Sequence, residues 1–245
     1  MTENTFIKTK ELTFSYNGVT NALSDVTLEA KEGEAIGIIG ANGAGKSTLL
    51  KLLVGIELGF TGEIDVCGNI LDKGNLRSVR ERIGYVFQDS DSQLFMTRVE
   101  DDIAFAPRNH GLPKDEIDRR VDDAMRAVNI THLKGRDIHQ LSGGEKKLAS
   151  IATVLSMKPD ILLMDEPSIE LDPKNRRNLI NVVNSLSGLK LIASHDLDFI
   201  MDTCERVILL SHGRIVRDAP ANAVLTDKDL LEENGMELPL SMSRM

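Results

Sequence analysis

Gly40-Ala41-Asn42-Gly43-Ala44-Gly45-Lys46-Ser47 places glycine, lysine and a hydroxyl at the spacing G-x-x-x-x-G-K-[ST]. Glycines in this arrangement let backbone N–H groups turn inward around a β-phosphate, and a following helix presents its positive end to the same charge. Lys46 is placed to reach the β- and γ-phosphates of a nucleoside triphosphate, Ser47 offers an oxygen to Mg²⁺, and Thr48 continues the cradle. The other reading is a glycine-rich strand-to-helix turn with no ligand. A match at every fixed position, in the right context, weighs against it. A second chemical signal follows the apolar run Ile161-Leu162-Leu163-Met164, which ends in Asp165 and Glu166. At the end of a parallel strand, Asp165 can hold Mg²⁺ through water, and Glu166 can position or deprotonate an attacking water. An acidic pair before Pro167 can also simply end a strand; the phosphate loop favours the chemical reading.

Elements must carry these groups. Ala35-Ile36-Gly37-Ile38-Ile39 is a short apolar run feeding the glycine loop, as a buried parallel strand does. Leu49, Leu50, Leu52 and Leu53 predict a helix packed on that strand, closed by Gly55 and Gly59. Upstream, Phe6 to Phe14 and Leu23 to Ala30 read as strands around a Tyr16-Asn17-Gly18 turn, with a further turn at Lys31 to Glu34. From about Asp89 to Met157 the texture is helical, and Ile117, Val121, Ala124, Met125 and Val128 share one face. Strand texture is also read at Tyr85 to Phe87 and returns at Ile161, Leu189 to Ala193 and Val207 to Leu210, with helical material between them. This alternation predicts a parallel sheet with crossover helices.

Bulk properties narrow the function. Within 245 residues, 41% are hydrophobic and 27% charged, an ordinary globular balance. A net charge of −9, from 29 basic and 38 acidic side chains, argues against a nucleic-acid partner, which needs a basic face. Cys67 and Cys204 lie far apart without ligand spacing and read as a reduced pair. The first ten residues lack the apolar core of a secretory signal, and no apolar run approaches the roughly 18 residues that span a bilayer. If the protein serves transport, another chain must supply the pore. His110, His132, His139 and His212 have no ligand spacing. Met236, Met242 and Met245 read as part of a flexible or docking tail rather than a metal site.

Leu141-Ser142-Gly143-Gly144-Glu145 completes the set: Ser142 can cap a helix whose apolar face is Leu148, Ile151, Ala152 and Leu155. With the two motifs above, the chain resembles the ABC ATPases from about Thr5 to Pro220. The resemblance implies an α/β P-loop NTPase cassette with a parallel core sheet, an N-terminal antiparallel β subdomain and an inserted helical subdomain. On that reading residues 1–245 form a single ATPase domain. Residues 1–88 and 158–220 make the core, 89–157 the helical signature subdomain and 221–245 a C-terminal tail. The implied enzyme hydrolyses ATP with Mg²⁺, as a head-to-tail homodimer in which each phosphate loop meets Ser142, Gly143 and Gly144 of the other copy. Tyr16 matches the aromatic that stacks on adenine, although a strand aromatic in the core is its other reading. Gln88 matches the glutamine that senses Mg²⁺ and water and faces a membrane partner, so the expected metal set is Ser47, Gln88 and Asp165. His195 matches the histidine that contacts the γ-phosphate and organises Glu166, against the common case of a polar surface histidine. Asp172 matches the loop that crosses to the partner. Two positions depart from the family: Glu170 stands where glycine is usual, and Leu148 where arginine is common.

Phe87-Gln88-Asp89-Ser90-Asp91-Ser92-Gln93-Leu94-Phe95 is similar to the F-Q-D-P-D-D-Q-L-F stretch of energy-coupling-factor importer ATPases, and Val99 to Pro107 continues the likeness. The tail from Leu230 to Leu240 is similar to the cobalt/nickel branch. The resemblance implies a peripheral subunit on the cytoplasmic face of the membrane, beneath integral transporter subunits, with cobalt or nickel as cargo. A vitamin or other small-solute importer, a soluble non-transport ABC ATPase and a catalytically idle regulator are the alternatives. The last is disfavoured by Glu166 and His195.

Overall fold

Glycine turns and apolar runs divide the chain into alternating strands and helices, and the computed structural model describes them over residues 5–242. The N-terminal stretch gives β1 (Thr5–Phe14), β2 (Leu23–Lys31), β3 (Ala35–Ile39), α1 (Lys46–Leu53), β4 (Thr61–Val66) and β5 (Asn69–Ile70). Next come α2 (Leu76–Arg82), β6 (Ile83–Val86), α3 (Val99–Asn109), α4 (Lys114–Ala127) and α5 (Gly143–Leu155). The remainder is β7 (Ile161–Asp165), α6 (Pro173–Ser185), β8 (Leu189–Ala193), α7 (Leu197–Thr203), β9 (Arg206–Ser211), β10 (Arg214–Pro220), α8 (Ala221–Leu225) and α9 (Lys228–Glu233). Two compact units result, one of residues 5–83, 160–165 and 187–242, the other of 84–159 and 166–186.

The first unit holds two sheets. One is antiparallel, in the order β2-β1-β4-β5, with Ile7 opposite Ala30 and Leu12 opposite Val26. The other runs β10-β9-β3-β8-β7 within this unit. Its central strands are parallel, with Ile36 beside Leu191 and Leu163 beside Leu191 in turn. Every residue of β3, β7 and β8 is buried, which is why these strands read as unbroken apolar runs rather than as alternation. Gly37 lets α7 close on the sheet, since a methyl group there would meet Ile200 at 2.5 Å. Cys204 is a buried free thiol whose pKa is pushed up to about 12 by burial, and Cys67 is also free.

In the second unit, α3, α4 and α5 pack together. The expected face of α4 is buried throughout, Ile117, Val121, Ala124 and Met125, followed by Val128. Burying each large member contributes about 1.5–3 kcal/mol. On α5, Leu148, Ile151 and Ala152 are buried, while Leu155 is only half-buried. Arg120 of α4 bonds the carbonyls of Ser156 and Met157 at 3.4 and 3.1 Å, satisfying the C-terminal end of α5.

Some expectations shift. The strand expected at Tyr85 to Phe87 is β6, and Phe87 lies beyond it because Lys147 of α5 and the Gln93 side chain take up its backbone groups, as described below. Residues 221–233, read as part of a tail, fold into α8 and α9 with Val224, Leu225 and Leu231 buried. Met245 lies outside the described residues. Among the described residues no helix is long and apolar enough to cross a membrane.

Candidate functional site

The first unit builds a phosphate cradle. Immediately after β3, Gly40 takes φ 150, and a Cβ there would lie 2.2 Å from the Leu210 carbonyl, so only glycine fits. Gly45 ends the loop in the left-handed region at φ 107, and a Cβ on it would meet the Ala22 carbonyl at 2.7 Å. As the N-cap of α1 it brings no side chain to the first-turn N–H groups, as suits a helix start that faces an anion. Asn42 and Gly43 are exposed at the loop tip and Ala41 is half-buried. The Ala44 N–H donates to Ala41 O, and Gly213 N–H donates to Ala44 O, so the loop is braced from both sides. The Lys46 ammonium, nearly buried, donates to Gly40 O at 2.7 Å and Ala41 O at 3.2 Å, which sets it within the curl of the loop.

Acidic chemistry meets this loop at Ser47. Its hydroxyl donates to Asp165 Oδ1 at 2.9 Å across 118 positions of sequence, joining the start of α1 to the end of β7. A hydroxyl and a buried carboxylate side by side are hard oxygen donors of the kind Mg²⁺ takes. Tyr16 is 58% exposed, which removes its core reading. Its ring meets Phe14 edge-on at 4.9 Å and its hydroxyl pairs with Thr48 Oγ1 at 3.2 Å, so an exposed aromatic stands at the cradle. His195, also exposed, follows β8. It is flanked by Ser194, whose N–H donates to Ile38 O, and by Asp196, whose carboxylate caps α7 at Phe199 N–H. Glu166 follows Asp165 in the chain. It is buried and holds φ 48, a left-handed conformation that a non-glycine residue adopts only under constraint.

The second unit carries the other chemistry. Ser142 caps α5 through a reciprocal capping box: its Oγ accepts from Glu145 N–H at 3.3 Å, and Glu145 Oε2 accepts from Ser142 N–H at 2.8 Å. The Ser142 backbone N–H holds the Glu145 carboxyl below its usual range. Gly143 and Gly144 lie under residues following Pro167. A methyl group on Gly143 would come within 2.8 Å of Glu170 Oε2, and one on Gly144 within 3.0 Å of Glu170 O. Glu170 itself sits at φ 67, a backbone position that suits the glycine usual there. Leu148 is buried in the packing of α5, so its departure from arginine serves the core. Asp172 caps α6 by accepting from Asn175 N–H at 2.8 Å. Gln88 is exposed just after β6.

Lys147 was not singled out in the sequence. It is wholly buried, with Nζ donating to Phe87 O at 3.1 Å and Gln88 O at 2.5 Å. The signal was present: position 147 lies one turn before Ile151 on the apolar face of a Ser-capped helix. Gln93 adds a second tie, accepting from Phe87 N–H at 3.0 Å and donating to Ser150 O and Thr153 Oγ1.

Comparison with known proteins follows the same lines. Residues 23–169 match the family described as ABC transporter. A putative ABC transporter ATP-binding protein of Geobacter sulfurreducens is 44% identical, over 96% of this chain and 95% of that protein. The energy-coupling factor transporter ATP-binding protein EcfA of Carboxydothermus hydrogenoformans is 40% identical, over 97% and 88%. The structure of cbiO1 from Clostridium perfringens, described as part of the ABC transporter complex cbiONQ, superposes with a TM-score of 0.83. It is 36% identical and the match covers 94% of each chain. A dimeric ATP-binding cassette in a post-hydrolysis state with ADP and Pi gives 0.79 at 25% identity, over 88% of this chain and 98% of that one.

Proposed function

The chain belongs to the ABC transporter ATPase family, and from that premise we propose that it is the ATP-hydrolysing subunit of an energy-coupling-factor importer, working as a head-to-tail homodimer beneath integral membrane chains. The observation that carries the chemistry is the Ser47–Asp165 hydrogen bond at 2.9 Å, which joins phosphate loop and acidic strand at one point. The likeness to EcfA and cbiO1 supports the importer. In this reading the backbone N–H groups of Gly40 to Thr48 and the Lys46 ammonium bind the phosphates, and Tyr16 stacks on adenine. Ser47, Asp165 and Gln88 would hold Mg²⁺, which supplies charge neutralisation on the β- and γ-oxygens. Glu166 takes a proton from a water whose oxygen attacks the γ-phosphorus. The bridging bond to the β-phosphate breaks, giving ADP and phosphate. His195 contacts the γ-phosphate and orients Glu166. The capped tip of α5, with Ser142, Gly143 and Gly144, supplies donors to the γ-phosphate bound by the other copy, so ATP forms part of the dimer interface.

The same reading places the protein at the cytoplasmic face of the membrane, held there by its partners. Phe95 and Phe105, 63% and 38% exposed, meet edge-on at 4.7 Å in the second unit, seven residues and more beyond Gln88 in sequence. An exposed aromatic pair of this kind suits a docking segment of a membrane chain. Cobalt or nickel is the proposed cargo, on the tail likeness and the relation to cbiO1. Co-purification with the membrane chains and an ATPase assay test the coupling. Turnover should rise when those chains are present, and Phe95→Asp should abolish both the rise and the co-purification. Turnover indifferent to the membrane chains overturns the importer assignment. Uptake of cobalt or nickel by the assembled complex, against uptake of a vitamin, decides the cargo.

A further inference from the structure

A lysine is almost never sealed from water unless its charge is partnered, and Lys147 is fully buried. Its ammonium carries three donors on a flexible stem, and two of them reach the carbonyls of consecutive residues, Phe87 and Gln88. Successive carbonyls of an extended strand point to opposite sides, so no single cation can take both. For both to converge on Lys147, the backbone must turn at Phe87–Gln88. This is where β6 stops, at Val86. The Phe87 N–H is held as well, by Gln93, which is tied in turn to Ser150 and Thr153. Lys147, Ser150 and Thr153 recur every three residues along α5. One face of that helix therefore fixes the backbone from which the Gln88 side chain departs. Lys147 is four residues from Gly143, about 6 Å along the helix axis from its tip.

We infer that Lys147 is a positioning residue for ATP hydrolysis, acting through Gln88 and tying its placement to the helix that carries Ser142, Gly143 and Gly144. The inference rests on the proposed role of Gln88 toward Mg²⁺ and water. A shift of α5 on meeting the second copy's nucleotide carries the Gln88 turn with it, because the carbonyls of Phe87 and Gln88 are bonded to Lys147 of that helix and the Phe87 N–H is tied to it through Gln93. Arginine is not equivalent to the lysine here: its guanidinium is longer and bulkier than an ammonium, and the Lys147 side chain is fully buried.

A double-mutant cycle on the full-length dimer tests this, with Lys147→Met, Gln88→Ala and the pair together. Thermal melts establish folding first, and Lys147→Gln, which keeps a donor, replaces the Met variant should that one fail to fold. The expected single-variant result is a KM for ATP within about twofold of wild type, a kcat lowered about tenfold, and a higher Mg²⁺ concentration for half-maximal turnover. In the Gln88→Ala background the Lys147 substitution should lower kcat no further than about twofold, because its route is already gone. A full additional loss in the double variant assigns Lys147 a purely structural role and overturns the inference, as does wild-type kcat and Mg²⁺ dependence in the single variant. Gln88→Ala with unchanged Mg²⁺ dependence instead removes the premise about Gln88, and the inference falls with it by a recognisably different result.

Discussion

Glu166 concentrates the residue-scale account. It follows the Mg²⁺-type carboxylate Asp165, is buried, and occupies a left-handed backbone conformation at φ 48 that side chains avoid unless surroundings enforce it. Glu166→Gln keeps its shape and removes its basicity. Turnover is expected to fall on the order of 10³-fold while the nucleotide Kd, measured by fluorescence titration, changes less than about threefold. Turnover within tenfold of wild type would remove Glu166 from the role of base. Residues of this kind were legible in the sequence because the chemistry restricts their types: a phosphate loop admits little but glycine, lysine and a hydroxyl. Lys147 was not legible, because lysine ordinarily signals a solvated face. Only its register on the apolar side of α5 gives it away. The place of Glu170 beside Gly143 was also unreadable, since it depends on contact between segments 27 positions apart.

Among the elements, α5 has the most specified beginning, with Ser142 and Glu145 each satisfying the other's backbone N–H. Replacing Ser142 with alanine should lower stability by about 1 kcal/mol, read as a shift of the urea midpoint. The capping box also has a pH signature. The folded-state pKa of Glu145 is lowered by its bond from Ser142 N–H, so its contribution is complete above the unfolded glutamate value of about 4.3. It is lost as pH falls through the lowered folded-state value. Glu145→Gln keeps the reciprocal bond without a titrating group, and its stability should fall less than that of wild type as pH falls below the unfolded glutamate value of about 4.3. Parallel loss in both proteins contradicts this assignment. Central strands were readable because both faces are buried and the apolar run is continuous. β10 was missed because it is largely exposed and shows no alternation, and α8 and α9 because five or six residues offer too little periodicity.

At the scale of the whole molecule, the chain carries two complementary chemistries: a cradle that binds triphosphate, and a capped helix tip suited to a γ-phosphate. The family assignment was legible because three motifs occur together in one chain. Cargo was not, because nothing in this chain is required to touch it. The central claim is that nucleotide is clamped between copies, the loop of one facing the α5 tip of the other. Site-directed cross-linking addresses it most directly: one chain carries Asn42→Cys and its partner Ser142→Cys, both with Glu166→Gln, and the two are mixed under mild oxidation. With ATP, the disulfide-linked pair should accumulate between the two different chains, and with ADP it should not. Absence of that product in ATP, or equal yield with either nucleotide, contradicts the clamp.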